Sequence, residues 1–584
     1  MNMTGPWPKE DAMPVSNAAI ARSLEEVADL LELEGANPFR VRAYRGAART
    51  VSGLSQNLSA MIAAGENLAE LPGIGADLAG KIALIVDSGS LPLLDELRAR
   101  TPPALAKLLG VPGMGPKRVR QLNAVLKVES LEDLRRAAAE GRIRDVPGFG
   151  EKTEANILSE LTQGLVEEKR FLLAEVEDLA GHLVAALSAV PGTREVVVAG
   201  SFRRRKETVG DLDVLAVAGD GAGLMERFTT LPDVARVLAH GETKSSVRLK
   251  NDLQVDLRVV PAESFGAALH YFTGSKAHNI AIRRMGQKQG LKVNEYGVFR
   301  GEEQIAGADE AGIYALFGLP GIPPELREDR GEIAAAANQT LPELITVSDL
   351  RGDLHVHSSD SDGQSSPAEL AAAAQALGYA YLAVTDHSKR LGVARGLDAK
   401  RLRAQIRAID ELNGALSGIV LLKGCEVDIL EDGSLDLPDD VLGELDVVVA
   451  AVHSRFDLGP QQQTERFIRA MDRRCVNILA HPTGRLIGRR KPCELDLEKL
   501  FAAARERGVA LELNAQPARL DLPDIHCQAA REAGVVIAIG SDAHAAGRLG
   551  DIRHGLDQAR RGWLAAADVL NTRPLTELKR FLAR

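Results

Sequence analysis

The chain has 584 residues, a net charge of −10 and four cysteines. That length allows about three to five domains with ample core burial, and the acidic balance excludes a protein that finds nucleic acid through bulk positive charge. Cys425, Cys475, Cys493 and Cys527 form no CxxC pair. Neither the polar start MNMTGPWPKEDAMPVS nor any later run has the roughly 18 to 20 apolar residues of a membrane span, so a reducing cytoplasm without membrane anchoring is expected.

In chain order, an amphipathic helix is predicted from about residue 17 through SLEEVADLLELEG, with Leu24, Val27, Leu30 and Leu31 at helical spacing and Gly35 as its stop. One pattern then occurs three times: LPGIGADLAGKI (71–82), VPGMGPKRVRQL (111–122) and VPGFGEKTEANIL (146–158). Each gives apolar, Pro, Gly, apolar, Gly and then an amphipathic helix. The pairs Gly73 and Gly75, Gly113 and Gly115, Gly148 and Gly150 permit a tight turn whose N–H groups, at a helix N-terminus, point at an anion. One such turn is commonplace. Three in succession resemble the helix-hairpin-helix motif, which grips DNA phosphates without reading sequence. Peptide dipoles then supply a phosphate affinity that an acidic composition does not.

GSFRRRKETVGDLDVL (200–215) combines a Gly-Ser turn, a basic cluster and an Asp-x-Asp pair. Strand alternation puts Asp211 and Asp213 on one face, where two carboxylates can hold a pair of divalent ions about 3.5 to 4 Å apart. At Gly200 the missing Cβ lets the backbone approach a triphosphate, with Ser201 beside it and Arg204 offsetting charge. A third carboxylate, Asp256, comes from a second alternating strand, LQVDLRVV (253–260). A lone DxD is more often a solvated strand face, but this assembly is what a nucleotidyl transferase requires.

At these residues, and again in YFTGS (271–275), Asn279, Arg283 and NEYGVF (294–299), the chain resembles the family X DNA polymerases. The resemblance implies that Asp211 and Asp213 bind two Mg²⁺ or Mn²⁺ ions, while Asp256 binds the catalytic one and helps to activate the primer 3′-hydroxyl. Gly200, Ser201, Arg204, Gly210 and Gly274 would contact the incoming nucleotide, Tyr271 and Phe272 would lie under its sugar, and Asn279 and Arg283 near the nascent pair and template. Lys81 matches the family's lyase nucleophile and Tyr44 is kept. Arg40, Asp77 and Ser90, however, stand where relatives carry phosphate-binding lysines, so weak or absent lyase activity is expected.

The stretch 319–345 reads as a connecting segment, rich in Pro and charge. Beyond it apolar strands (YLAVTD, IVLLKGCEVDI, LDVVVAAVH, VNILAHP, VALELN, VVIAIGSD) alternate with amphipathic helices, the pattern of a parallel barrel with its chemistry at the strand C-termini. Those ends carry His355, His357, Asp362, His387, Glu426, His453, His481, Asp542 and His544. Six imidazoles and three carboxylates without a thiolate suit Zn²⁺, Mn²⁺ or Fe in hydrolysis. Over 349–584 the set resembles the polymerase and histidinol phosphatase (PHP) domain. The resemblance implies up to three ions: one on His355, His357, Glu426 and Asp542, a second on Asp362, His387 and His544, a third on Glu426, His453 and His481. Asp360 is a nearby alternative to Asp362, and Cys425 is read as packing.

The expected fold is multidomain, α+β and α/β: a helical lyase-like domain with a helix-hairpin-helix (17–95), fingers with two more (96–165), a nucleotidyltransferase palm with a mixed sheet (166–265), a thumb-like segment (266–325), a linker (326–348) and a distorted (β/α)7 PHP barrel (349–584). The resemblance to bacterial and archaeal family X polymerases implies a monomeric, nucleoid-associated repair enzyme. It would fill short DNA gaps with dNTPs, as in base excision repair, and trim 3′ ends. The alternatives are a PHP small-molecule phosphatase with a decayed polymerase half, and a helix-hairpin-helix DNA-binding scaffold.

Overall fold

The computed structural model describes residues 15–583 apart from 55, 102, 112, 113 and 163–168, so Gly113 and the expected 165/166 boundary lie outside the described residues. The chain forms two compact units that divide between Lys169 and Arg170. Among the described residues no helix is long and apolar enough to cross a membrane.

The first unit is helical. Its opening helix Asn17–Leu33 is capped by Ser16, whose hydroxyl accepts from the Ala19 N–H, and it buries Leu24, Val27, Leu30 and Leu31. The chain then turns at Gly35, with a positive φ of 72°. Each Pro-Gly pattern leads into a helix directly after its second glycine: Ala76–Ser88, Pro116–Leu126 and Glu151–Thr162.

The second unit begins with the palm. Its strands are β1 (Thr193–Val198), β2 (Asp211–Ala218), β3 (Val234–His240), β4 (Lys244–Leu249) and β5 (Gln254–Val259). They pair in the order β1-β2-β5-β4-β3, with β2 and β5 parallel and the other pairs antiparallel, which makes the sheet mixed. Leu212 and Val214 of β2 and Val255 and Leu257 of β5 fill the core beneath it, so the alternate residues are left for the opposite face. Helices Phe265–Thr273 and Lys276–Lys288 and a three-stranded antiparallel sheet spanning Lys292–Ala306 follow.

Seven parallel strands then run in sequence order: β6 (Gly352–Val356), β7 (Tyr381–Val384), β8 (Val420–Asp428), β9 (Val447–Ala451), β10 (Ile478–Leu479), β11 (Ala510–Asn514) and β12 (Ile537–Gly540). A parallel bridge between Val356 and Ala543 brings the last strand back to the first, giving a nearly closed barrel. Nearly every strand residue is buried, as expected when helices cover the outside and side chains fill the inside. The segment read as a connector folds onto this unit: Glu332 is fully buried with its carboxylate 2.6 Å from His278 Nδ1, and Ala336 packs in a cluster with Leu344 and Trp563. Its prolines and charges masked that burial, because the charges are neutralised by partners distant in sequence.

Candidate active sites

In the palm, parallel pairing sets Asp213 directly beside Asp256 and Asp211 beside Gln254. The three predicted carboxylates therefore share one face at the end of two neighbouring strands. Burial first, then the charges of Asp211 and Asp256, push the Asp213 carboxyl up to about 6. Such a cluster is poised for cations. Lys244 Nζ lies 3.2 Å from Asp256 Oδ2, and the Gln254 amide donates to Asp256 Oδ1 at 3.1 Å. Neither was anticipated from the sequence, although the even spacing of Gln254 and Asp256 along β5 places both on one face.

The turn before β2 is joined to it by the Ala199 N–H, which donates to the Asp213 carbonyl at 2.7 Å. Gly200 has φ +63°, and a Cβ there would lie 2.9 Å from Asp213 Oδ2, so conformation and space both require glycine. Ser201 sits in the short helix Gly200–Arg203, and Gly210 immediately precedes β2. Arg204 Nε bonds Glu328 Oε1 at 3.1 Å and its guanidinium also donates to the Thr273 carbonyl, so Arg204 is held beside Gly274 rather than extended. Arg283 stacks on the Tyr271 ring at 5.0 Å, Arg258 on Phe272 at 4.5 Å, and the Asn279 amide donates to the Tyr271 carbonyl at 2.7 Å.

At the barrel mouth all nine predicted ligands converge. Glu426 is central: its Oε1 lies 3.0 Å from His481 Nε2 and 3.2 Å from His453 Nε2, its Oε2 2.6 Å from His387 Nδ1, 3.5 Å from His355 Nε2 and 3.6 Å from His357 Nε2. His357 Nε2 also lies 3.2 Å from Asp542 Oδ1, while Asp362 Oδ2 is 3.4 Å from His544 Nε2 and 3.6 Å from His387 Nε2. Donor atoms fall into groups compact enough for an ion: His357, Asp362, His387 and His544; His355, His357 and Asp542; His387, Glu426 and His453. Asp360 instead accepts from the Gln405 amide, and Cys425 is buried in the apolar core.

The donor set fits divalent metal. Glu426 Oε2 and His387 Nδ1 are buried 2.6 Å apart and His357 Nδ1 is buried without a hydrogen-bond partner, an arrangement that suits a bound cation. Burial opposes charge on His387, but Glu426 and Asp362 raise it to about 10. Burial likewise works against the Glu426 carboxylate, yet His387, His453 and His355 hold it well below its usual range. The pocket draws in positive charge, as protons or as metal.

Comparison with known proteins matches residues 15–91 to a helix-hairpin-helix domain and 105–163 to a SAM-like helix-hairpin-helix tandem. It matches 170–284 to the DNA polymerase beta palm, 268–328 to the DNA polymerase beta thumb and 353–516 to the PHP domain. The DNA polymerase/3′-5′ exonuclease PolX of Bacillus subtilis is 41% identical over 97% of this chain and 99% of its own length. The chain belongs to the family X DNA polymerases with a C-terminal PHP domain. DNA polymerase lambda of Rattus norvegicus is 27% identical over 53% of this chain and 56% of its own, and a probable phosphatase of Thermoanaerobacter sp. is 29% identical over 38% and 89%.

Within this family X chain, several site residues escaped the sequence reading. Glu512 Oε1 lies 2.6 Å from His355 Nδ1, Asp428 Oδ1 3.3 Å from His453 Nδ1, and the Asn514 amide donates to Asp542 Oδ2 at 3.1 Å. Each of these partners holds a predicted ligand in place. A carboxylate inside the apolar strand VALELN was the available signal for Glu512. In the first unit Lys81 Nζ sits 2.5 Å from Asp77 Oδ2 and 5.3 Å from the centre of the Tyr44 ring.

Proposed function

We propose that the chain adds nucleotides to a primer 3′ end at the palm and removes them as a 3′–5′ exonuclease at the PHP barrel. The observation that carries the polymerase half is the parallel register that sets Asp213 beside Asp256, with Asp211 on the same face and the Gly200 turn against Asp213. Asp211, Asp213 and Asp256 would hold two Mg²⁺ or Mn²⁺ ions, which when bound stabilise charge along an in-line displacement at the α-phosphorus. Asp256 would accept the proton of the primer 3′-hydroxyl, and Ser201 and Arg204 would steady the triphosphate. Tyr271 and Phe272 would carry the sugar, with Arg283 toward the template.

In the barrel eight of the nine expected ligands fall into three compact donor groups, with His481 beside Glu426, which supports up to three Zn²⁺, Mn²⁺ or Fe ions that would supply Lewis acidity and an activated water when bound. The Pro-Gly turns would grip DNA phosphates, and the expected six-part division, a monomeric state, nucleoid association and short-gap repair belong to the same reading. Incubation with gapped, 5′-labelled primer-template tests it. Extension with dNTPs and shortening without them are expected; a protein that does neither refutes the proposal, and shortening alone favours a phosphatase-like barrel.

A further inference from the structure

The palm's phosphate turn is gripped from behind by residues of the PHP barrel. The Lys206 N–H donates to the Ser201 carbonyl at 3.0 Å and closes the turn, and Arg205 within it has a φ of +54°. A non-glycine residue keeps that conformation only where its surroundings over-determine it. The barrel provides them. Arg205 reaches Asp557 Oδ2 at 2.5 Å, on helix Ile552–Arg561, and also pairs with Glu177. Arg561 is 2% exposed and donates to the Arg204 carbonyl at 2.7 Å while bonding Asp524 Oδ2 at 2.6 Å. Arg485, on the loop that follows the ligand His481, pairs with Glu207 Oε2 at 2.6 Å.

Arg204, Arg205 and Glu207 thus each meet a different barrel residue. Glu177, His554 and Asp557 bring donor atoms close enough to hold a cation, but the Arg205 guanidinium already bonds both carboxylates, so this cluster is a socket for that side chain. Behind the turn, Arg204, Lys206, Arg330 and Arg561 surround two carboxylates, Glu328 and Asp524.

We infer that the PHP barrel is a working part of the polymerase site, with Asp557, Arg561 and Arg485 as positioning residues that hold the triphosphate-binding turn in shape. The inference rests on the polymerase reading above. A turn ordered in advance spares each nucleotide the cost of ordering it, so loosening the turn weakens nucleotide binding while leaving turnover at saturation intact.

The test measures dNTP KM and kcat for gap filling by the full chain with Mg²⁺, and primer trimming without dNTPs, in wild type, Asp557→Asn and Arg485→Gln. Loss of one charge-assisted contact should raise dNTP KM by about fivefold or more in at least one variant, with kcat and trimming within about twofold of wild type. Asp557→Glu should recover part of the loss at position 557. An unchanged KM in both variants overturns the inference. So does a parallel fall of extension, trimming and thermal midpoint, which would make the contacts mere packing. A wild-type chain that fails to extend refutes the polymerase reading itself, an outcome distinct from either.

Discussion

Glu512 holds two predicted metal ligands from one buried position, with Oε1 2.6 Å from His355 Nδ1 and Oε2 accepting the His481 N–H at 2.8 Å. Burial opposes charge on His355, but Glu512 and Glu426 raise it well above its usual value. Glu512→Gln keeps the shape and removes the charge, so trimming at limiting metal should fall about 10- to 100-fold and recover as metal is added. A titration of trimming rate against Mn²⁺ reads this directly; equal rates at every concentration would leave Glu512 without that role. Lys81 is a second case. Burial alone would lower its pKa, but the Asp77 carboxylate and Tyr44 outweigh it and raise the pKa, so the amine stays protonated near neutral pH. Schiff-base chemistry needs the neutral amine. Borohydride trapping of 5′-deoxyribose phosphate DNA should therefore be weak at pH 7, grow as pH rises and increase in Asp77→Asn. Efficient trapping at pH 7 that vanishes in Lys81→Ala would contradict this.

At the scale of elements, the glycines of the three repeats differ in what they tolerate. Gly148 has φ +83°, where any side chain strains the backbone. Gly115 has φ −80°, and a Cβ there meets no described atom within 4 Å, so Gly115→Val should spare the fold and obstruct an approaching phosphate. DNA affinity should drop by about tenfold, and by the same factor on unrelated sequences, because phosphate contacts carry no base information. Fluorescence anisotropy with two unrelated duplexes checks it, and a loss confined to one of them would refute the phosphate role. These turns were legible because Pro-Gly-x-Gly before an amphipathic run is a local signal. The convergence of the predicted metal ligands was legible for a similar reason: each His or carboxylate follows a short apolar strand, and a parallel barrel gathers such ends by topology alone. Glu512 was not, because a charge in mid-strand is neutralised by His355, which lies far away in sequence.

At the scale of the molecule, the contacts that join palm to barrel left no trace in the sequence, since Arg205 and Asp557 are separated by most of the second unit and each alone reads as surface charge. Their presence makes the independence of the two chemistries a real question. The sites share no ligand: the palm's carboxylates lie on β2 and β5, the barrel's ligands at the ends of β6 to β12. Asp213→Asn should reduce extension at least about 100-fold, because an amide holds divalent ions poorly, while trimming persists. The same change removes a carboxylate that burial, Asp211 and Asp256 push up to about 6, so in chelator at pH 8 this variant should melt no lower than wild type, the trade of stability for function expected where like charges are crowded. Asp542→Ala should do the reverse, stopping trimming and sparing extension, since Asp542 lies 3.2 Å from the His357 imidazole and none of the barrel's grips on the turn passes through it. Both activities are read on one gapped, 5′-labelled substrate, with folding checked by thermal midpoint. If either folded variant loses both, the two centres depend on one another through more than the phosphate turn.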